Sequence, residues 1–196
     1  MSREARINSI KKLSEEFQFK ILIYSNNIDR DLTMIICMEL AKEWSEMVNF
    51  IDHYQNVIFS RKIKLVNTIL KSNYPDIYEK YPDVFIQIGQ IKAIRNKIAH
   101  FLSSYLANDD GSKTWFVLSP LIVRENENKE QQLSEEEMRG FMEMVEICSS
   151  NVREIMVLVG KKHDYTLKNN IINRKVTRRI INLRGNRTVF YNTFFL

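Results

Sequence analysis

Three prolines and five glycines in 196 residues leave this chain almost without punctuation. Proline breaks the interior of a helix and glycine is the usual residue just past its end. A chain poor in both favours long, uninterrupted helices. The expected fold class is therefore all-α, a helical bundle with a short β segment and a basic C-terminal arm or hairpin.

Apolar periodicity fills in that outline. Leu32, Ile35, Ile36, Leu40, Trp44, Met47, Val48 and Ile51 recur at helical spacing, so a first clear helix is expected from about Asp29 to Phe50, capped by Asp29 or Asp31. A second is expected from Ser60 to Leu70, ended by Asn73-Tyr74-Pro75. Tyr81-Pro82-Asp83 opens a third, reaching to about Tyr105, and Asn108-Asp109-Asp110-Gly111 reads as a turn. Thr114 to Val123 is the β candidate, and Pro120 marks it as an edge strand or short hairpin arm. A fourth helix starts at Ser134, where Ser134 and Glu137 have the spacing of a capping box, and Gly160 is its expected stop. Phe141, Val145, Cys148, Val152, Ile155 and Val159 lie along its apolar face.

Charge divides the chain. After Gly160 stand nine basic residues, Lys161, Lys162, Lys168, Arg174, Lys175, Arg178, Arg179, Arg184 and Arg187, against one acid, Asp164. That tail carries +8, and with +5 on the whole chain the first 160 residues carry −3. The expected organisation is a helical domain over 1–160 and a basic extension over 161–196. Such an extension attracts polyanions by releasing their counterions, without sequence preference. Arg174, Lys175, Arg178, Arg179, Arg184 and Arg187 are its candidate RNA contacts. A plainly solvated tail fits the same composition equally well. Lys175–Leu183 and Thr188–Phe195 flank Arg184-Gly185-Asn186-Arg187 and suggest a hairpin or an arm that orders on a partner. The apolar end Val189-Phe190-Tyr191 to Leu196 suggests docking on the body or on a second subunit.

Several function classes find no residues to support them. No apolar run approaches the roughly 20 residues that span a bilayer, and the N-terminus has mixed charge rather than a secretory core, so the cytoplasm is expected. Cys37 and Cys148 form no CxxC pair, and His53 and His163 no HExxH, so no metal and no cofactor is expected. Glycine-rich phosphate loops and GxSxG are missing. Trp44 and Trp115 read as core anchors, and Gly89 as a point of close helix packing.

The third helix holds the remaining chemistry. Placed at 100° per residue, Ile91, Ile94, Ile98, Phe101, Leu102 and Tyr105 fall in one apolar arc. Arg95, Asn96, Ala99 and His100 fall in another, with Lys92 and Ser103 inside it. The guanidinium fork matches phosphate oxygens, the imidazole exchanges a proton near neutral pH, and the amide can orient either. Lys92 adds a point charge. The set suits RNA cleavage without metal: a ribose 2′-OH attacks the adjacent phosphorus while histidine handles a proton and arginine stabilises charge. On spacing alone, one Arg and one His on a helix are more often solvated surface residues.

The segment Arg95-Asn96-Lys97-Ile98-Ala99-His100 resembles the signature of the HEPN superfamily, an R-x4-H pattern whose RNxxAH form is matched at every fixed position. The motif covers six residues, and the succession of helices from about Asp29 to Gly160 fits the family's architecture. The resemblance implies a helical bundle that dimerises through the motif helix, so that two copies of Arg95 and His100 share one cleft. It also implies a metal-independent endoribonuclease, a toxin or an antiphage-defence effector, leaving a 2′,3′-cyclic phosphate. Arg95 and His100 would be catalytic and Asn96 orienting. An antitoxin or other defence protein is the implied partner, beside RNA. Some family toxins carry a modifiable tyrosine two positions after the histidine; Leu102 stands there, so that regulation is not implied. The alternative is a non-catalytic domain of the same type that binds RNA or protein.

Overall fold

A computed structural model describes residues 3–40, 58–108, 113–120 and 130–162. The described part is mostly helical, with one small antiparallel sheet. In chain order the elements are α1 (Arg3–Leu40), α2 (Phe59–Asn73), α3 (Pro75–Lys80), α4 (Val84–His100), β1 (Phe101–Ala107), β2 (Thr114–Pro120), β3 (Gln131–Leu133) and α5 (Glu135–Lys162). The chain divides into the units Met1–Val159 and Gly160–Leu196, and all of these elements except the end of α5 belong to the first. No helix among the described residues is long and apolar enough to cross a membrane.

α1 begins 26 residues before the expected start at Asp29. Its buried stripe, Ile10, Leu13, Phe17, Ile21, Ile28, Leu32 and Ile35, keeps helical spacing throughout. Phe19, Leu22 and Ile23 face solvent while Ser14 and Ser25 are buried, which blurs that stripe in the sequence. Neither aspartate caps the helix, because both lie inside it. Asp29 accepts from Lys62 Nζ of α2 at 3.0 Å, and buried Asp31 accepts from Arg153 Nε of α5 at 2.7 Å. The continuation expected through Trp44 to Phe50 lies outside the described residues.

α2 ends as expected at Tyr74, whose N–H donates to the Leu70 carbonyl. Pro75 then starts a further short helix, since proline's fixed φ and missing N–H suit a first helical position. The Tyr74 hydroxyl donates to Glu39 Oε2 at 2.7 Å, and Asn73 bonds the other oxygen of that carboxylate. These bonds tie the end of α2 to α1.

The third expected helix is shorter than its periodicity implies. It stops at His100, and Phe101–Ala107 is strand β1 instead of helix. β1 pairs antiparallel with β2, Phe101 opposite Pro120 and Ala107 opposite Thr114. β2 also pairs with β3, Phe116 opposite Leu133. β2 is therefore the central strand and not an edge; it is the arm of an antiparallel hairpin with β1, the other form expected, and Pro120 stands at its end. At the β1–β2 turn Asn108 Oδ1 accepts from the Lys113 N–H at 2.7 Å. The class is thus helical with a three-stranded sheet, rather than wholly α.

Phe17 joins the layers. Its ring meets Phe116 of β2 edge-on at 6.2 Å and Phe141 of α5 at 6.4 Å. Phe116, Leu118 and Leu133 turn inward onto this core, and Met138, Met142, Val145, Cys148, Val152, Ile155 and Val159 cover it from α5. α5 runs to Lys162, two residues past the expected stop at Gly160, which is buried within it.

The α5 capping box forms as expected. Ser134 Oγ accepts the Glu137 N–H at 3.2 Å, and Glu137 Oε2 accepts the Ser134 N–H at 2.7 Å and its hydroxyl at 2.8 Å. First the backbone N–H and then the hydroxyl of Ser134 hold the Glu137 carboxyl below its ordinary value. A depressed folded-state pKa adds stability above the ordinary carboxylate range, and that stability is lost as pH falls through the folded value. Glu137→Gln keeps an acceptor oxygen and replaces only a solvent-screened charge, so it should be less stable than wild type at neutral pH by about 0.5 kcal/mol or less, measured by chemical denaturation. The gap should close on acidification; a gap that stays constant with pH contradicts the assignment.

Candidate functional site

α4 forms because Val84, Ile88, Ile91 and Ile94 recur every three or four residues and bury one stripe against the core. At its far end the Phe101 N–H still donates to the Lys97 carbonyl, while Phe101 itself is already extended at φ −109° and ψ 153°. Helix passes into strand without a loop. His100 is the last helical residue, and its backbone is fixed on one side by α4 and on the other by the pairing of Phe101 with Pro120. β1 is anchored in turn by Tyr105, whose hydroxyl lies 3.0 Å from Ser14 Oγ of α1 and whose ring packs 6.0 Å from Phe116.

Around this helix the side chains of the motif reach solvent. Arg95 and Lys92 are half-buried, and Asn96, Ala99 and His100 are exposed. Among the described residues, none of the side chains of Lys92, Arg95, Asn96 and His100 makes a hydrogen bond or ion pair. Lys97 differs. Its Nζ donates to Gln131 Oε1 of β3 at 2.7 Å. No acidic residue occurs from Val84 to Asn108, so Lys92, Arg95 and Lys97 stand on α4 without a carboxylate on their own element or on β1. The last turn holds Lys97 and His100, where the helix exposes its carbonyls and favours positive groups.

The outer face of α4 is open. Ile86, Gly89, Ala93, Asn96 and His100 are all exposed and follow one another at helical spacing. Ile86 is 63% exposed. A Cβ on Gly89 would meet nothing within 4 Å. The expected close packing at Gly89 is therefore not found among the described residues.

Other expected site residues fare differently. Ser103 is exposed but lies on β1, so the helical arc that set it beside Lys92 does not exist. Trp115 is half-buried; it alternates with Phe116 on β2 and so takes the sheet face opposite the core, away from the anchor position expected for it. Arg174, Lys175, Arg178, Arg179, Arg184 and Arg187 lie outside the described residues, as do Trp44, His53 and His163. Among the described residues no group of three His, Cys, Asp or Glu is placed to hold a metal ion.

Cys148 is no candidate nucleophile. Burial pushes its thiol up to about 12, and its S–H points to the Val84 carbonyl at 3.9 Å. Thiolate, the reactive form, is then negligible near neutral pH. Gln131 is the residue that sequence reasoning misses. It stands 34 positions from Lys97, beyond the reach of any local spacing rule.

No family model, curated protein or solved structure matches the chain. Its own residues and their chemistry are what define the site.

Arg95, Asn96 and His100 have no side-chain partners within the described residues, so no contact described there ties the fold to them. Arg95→Ala, Asn96→Ala and His100→Ala should each unfold within about 0.5 kcal/mol of wild type in urea. A loss above about 2 kcal/mol in any one would mark that side chain as structural.

Proposed function

We propose that this chain is a metal-independent endoribonuclease of the HEPN type, acting as a homodimer through α4. The observation that carries the reading is that Arg95, Asn96 and His100, in the order of the RNxxAH motif, remain accessible on a helix without acidic residues. A half-buried guanidinium with no partner among the described residues is suited to a phosphate, which it grips through two parallel N–H donors. The exposed imidazole is free to move a proton.

The chemistry follows from those groups. The ribose 2′-oxygen attacks the adjacent phosphorus, the bond to the 5′-oxygen breaks, and a 2′,3′-cyclic phosphate remains. His100 takes the 2′-OH proton or returns one to the leaving oxygen. Arg95 stabilises the charge that builds on the phosphoryl oxygens. Asn96 orients the imidazole or a ribose oxygen. Lys92 adds attraction for the backbone, and Ser103 lies close along the chain for a further contact. A role in RNA binding for the basic tail rests on its charge alone.

Five residues apart on a helix, Arg95 and His100 are rotated by about 140° and separated by about 7.5 Å along the axis. One helix presents them to different sides. A second α4 laid against the first would bring Arg95 of one copy towards His100 of the other. The exposed, small-residue face at Gly89 and Ala93 supports such an approach. A place in toxin–antitoxin or antiphage systems, with an antitoxin or defence protein as partner, rests on the motif resemblance.

Purified protein should cleave total RNA or tRNA in EDTA, leaving cyclic phosphate ends. His100→Ala and Arg95→Ala should lose cleavage by about a hundredfold or more. Full activity in either variant would remove the catalytic assignment. Salt-sensitive RNA binding without any cleavage would favour the non-catalytic binding module instead.

Gly89→Arg separates the dimer from the fold. Nothing among the described residues meets a side chain there, so the variant should keep wild-type thermal stability or gain slightly, because glycine inside a helix costs about 0.5–1 kcal/mol. It should also sediment as a monomer and cleave poorly. An active Gly89→Arg monomer would contradict the shared site.

A further inference from the structure

The direction in which Asn96 and His100 point depends on the last turn of α4. Helix ends leave their final carbonyls without internal partners and tend to fray. In α4 the turn is closed by the Phe101 N–H on the Lys97 carbonyl, and it continues into β1. Among the described residues one side-chain bond crosses from it to the rest of the fold, that from Lys97 Nζ to Gln131 Oε1 at 2.7 Å. Lys97 follows Asn96 directly and precedes His100 by one turn. Gln131 is itself held by the sheet, opposite Leu118, whose side chain is in the core.

We propose that Gln131 is a positioning residue of the candidate site: by accepting from Lys97 it fixes the rotation of the last turn of α4 and thereby aims Asn96 and His100. The proposal rests on the reading of α4 as the RNA-cleaving element. The type of acceptor matters. A carboxylate at this position would neutralise Lys97, whereas the neutral amide oxygen holds the ammonium and leaves its charge in the field that an RNA backbone meets. Gln131 thus separates two tasks, placement and attraction, that a Lys–Glu pair would set against each other.

That separation gives the test. Gln131→Leu removes the acceptor at similar size, Gln131→Glu keeps an acceptor but cancels the charge, and Lys97→Met removes the donor. Each is made in the full-length chain. RNA cleavage in EDTA is read as kcat and KM, with the thermal midpoint and the His100 imidazole NMR signals alongside. Gln131→Leu should lower kcat about tenfold or more with KM little changed. Gln131→Glu should restore kcat and raise KM. Lys97→Met should lose both, and adding Gln131→Leu to it should do no further harm. The His100 signals should shift or broaden in Gln131→Leu and return in Gln131→Glu.

Wild-type kcat in Gln131→Leu overturns the proposal. So does a Gln131→Glu variant as slow as Gln131→Leu at an unchanged thermal midpoint, and so do additive losses in the double variant. If Gln131→Leu fails to fold, Lys97→Met alone decides: wild-type kcat there overturns the proposal, and a fall in kcat supports it. If the wild type cleaves no RNA, it is the nuclease reading that fails. The imidazole signals then decide: displacement in Gln131→Leu with return in Gln131→Glu supports positioning, and unchanged signals overturn it.

Discussion

The buried stripe of α1 is the constraint on which the rest of the structure depends. A 38-residue helix is about 57 Å long, and this one offers apolar side chains over nearly all of that length. α2, α4 and the sheet pack against it, and Phe17 brings β2 and α5 to the same point through two edge-on ring contacts. Apolar burial does not by itself choose the rotation of a partner helix. The Asp29–Lys62 and Asp31–Arg153 pairs add that choice, because a rotated α2 or α5 would leave a buried or half-buried charge without its partner.

Placement of the candidate site follows from this frame through one junction. α4 lies on α1 by the Val84–Ile94 stripe, and β1 lies on α1 through Tyr105 and Ser14. Both are therefore fixed to a common support before they meet at His100 and Phe101. A helix that passes straight into a paired strand is held from both sides at the boundary, and the Lys97–Gln131 bond adds a side-chain tie at the same turn. Sites carried on such elements hold their geometry better than sites on loops. The motif's final residue thus owes its position to contacts made by its neighbours, and its own ring stays available.

How much of this is legible in the sequence depends on the range of the interaction involved. The Ser134–Glu137 box, the end of α2 before Pro75 and the start of α4 after Asp83 each rest on groups three or four residues apart, and local spacing finds each of them. It does not find β1. Phe101, Leu102 and Tyr105 continue the helical arc of Ile94 and Ile98, and only pairing with Thr114–Pro120 turns them into strand. Local periodicity contains no term for that pairing. The first half of α1 escapes for a different reason: exposed Phe19, Leu22 and Ile23 and buried Ser14 and Ser25 dilute the contrast between its faces. In the candidate site, the spacing sets Lys92, Arg95, Asn96 and His100 on one helix, as the structure does. It fails for Ser103, because the helix ends before it, and the Lys97–Gln131 bond links segments that no spacing rule connects.

α4, like α2, carries no acidic residue of its own. Lys20, Lys62, Lys80, Arg139 and Arg153 all face a carboxylate within 3.3 Å. These cations on α1, α2, α3 and α5 are compensated inside the protomer, whereas Lys11, Lys12 and Lys64 pair with no carboxylate among the described residues. On α4, Lys92 and Arg95 have no such partner among the described residues, and Lys97 is met by a neutral amide. Keeping three cations and a histidine within nine residues adds mutual repulsion that the fold does not use. A protein whose local choices otherwise agree with its fold tends to break that agreement where it acts on something else. The uncompensated stretch coincides with the motif and ends at the rigid helix–strand junction. This agreement between charge, motif and support makes α4 the place to look for a polyanionic substrate.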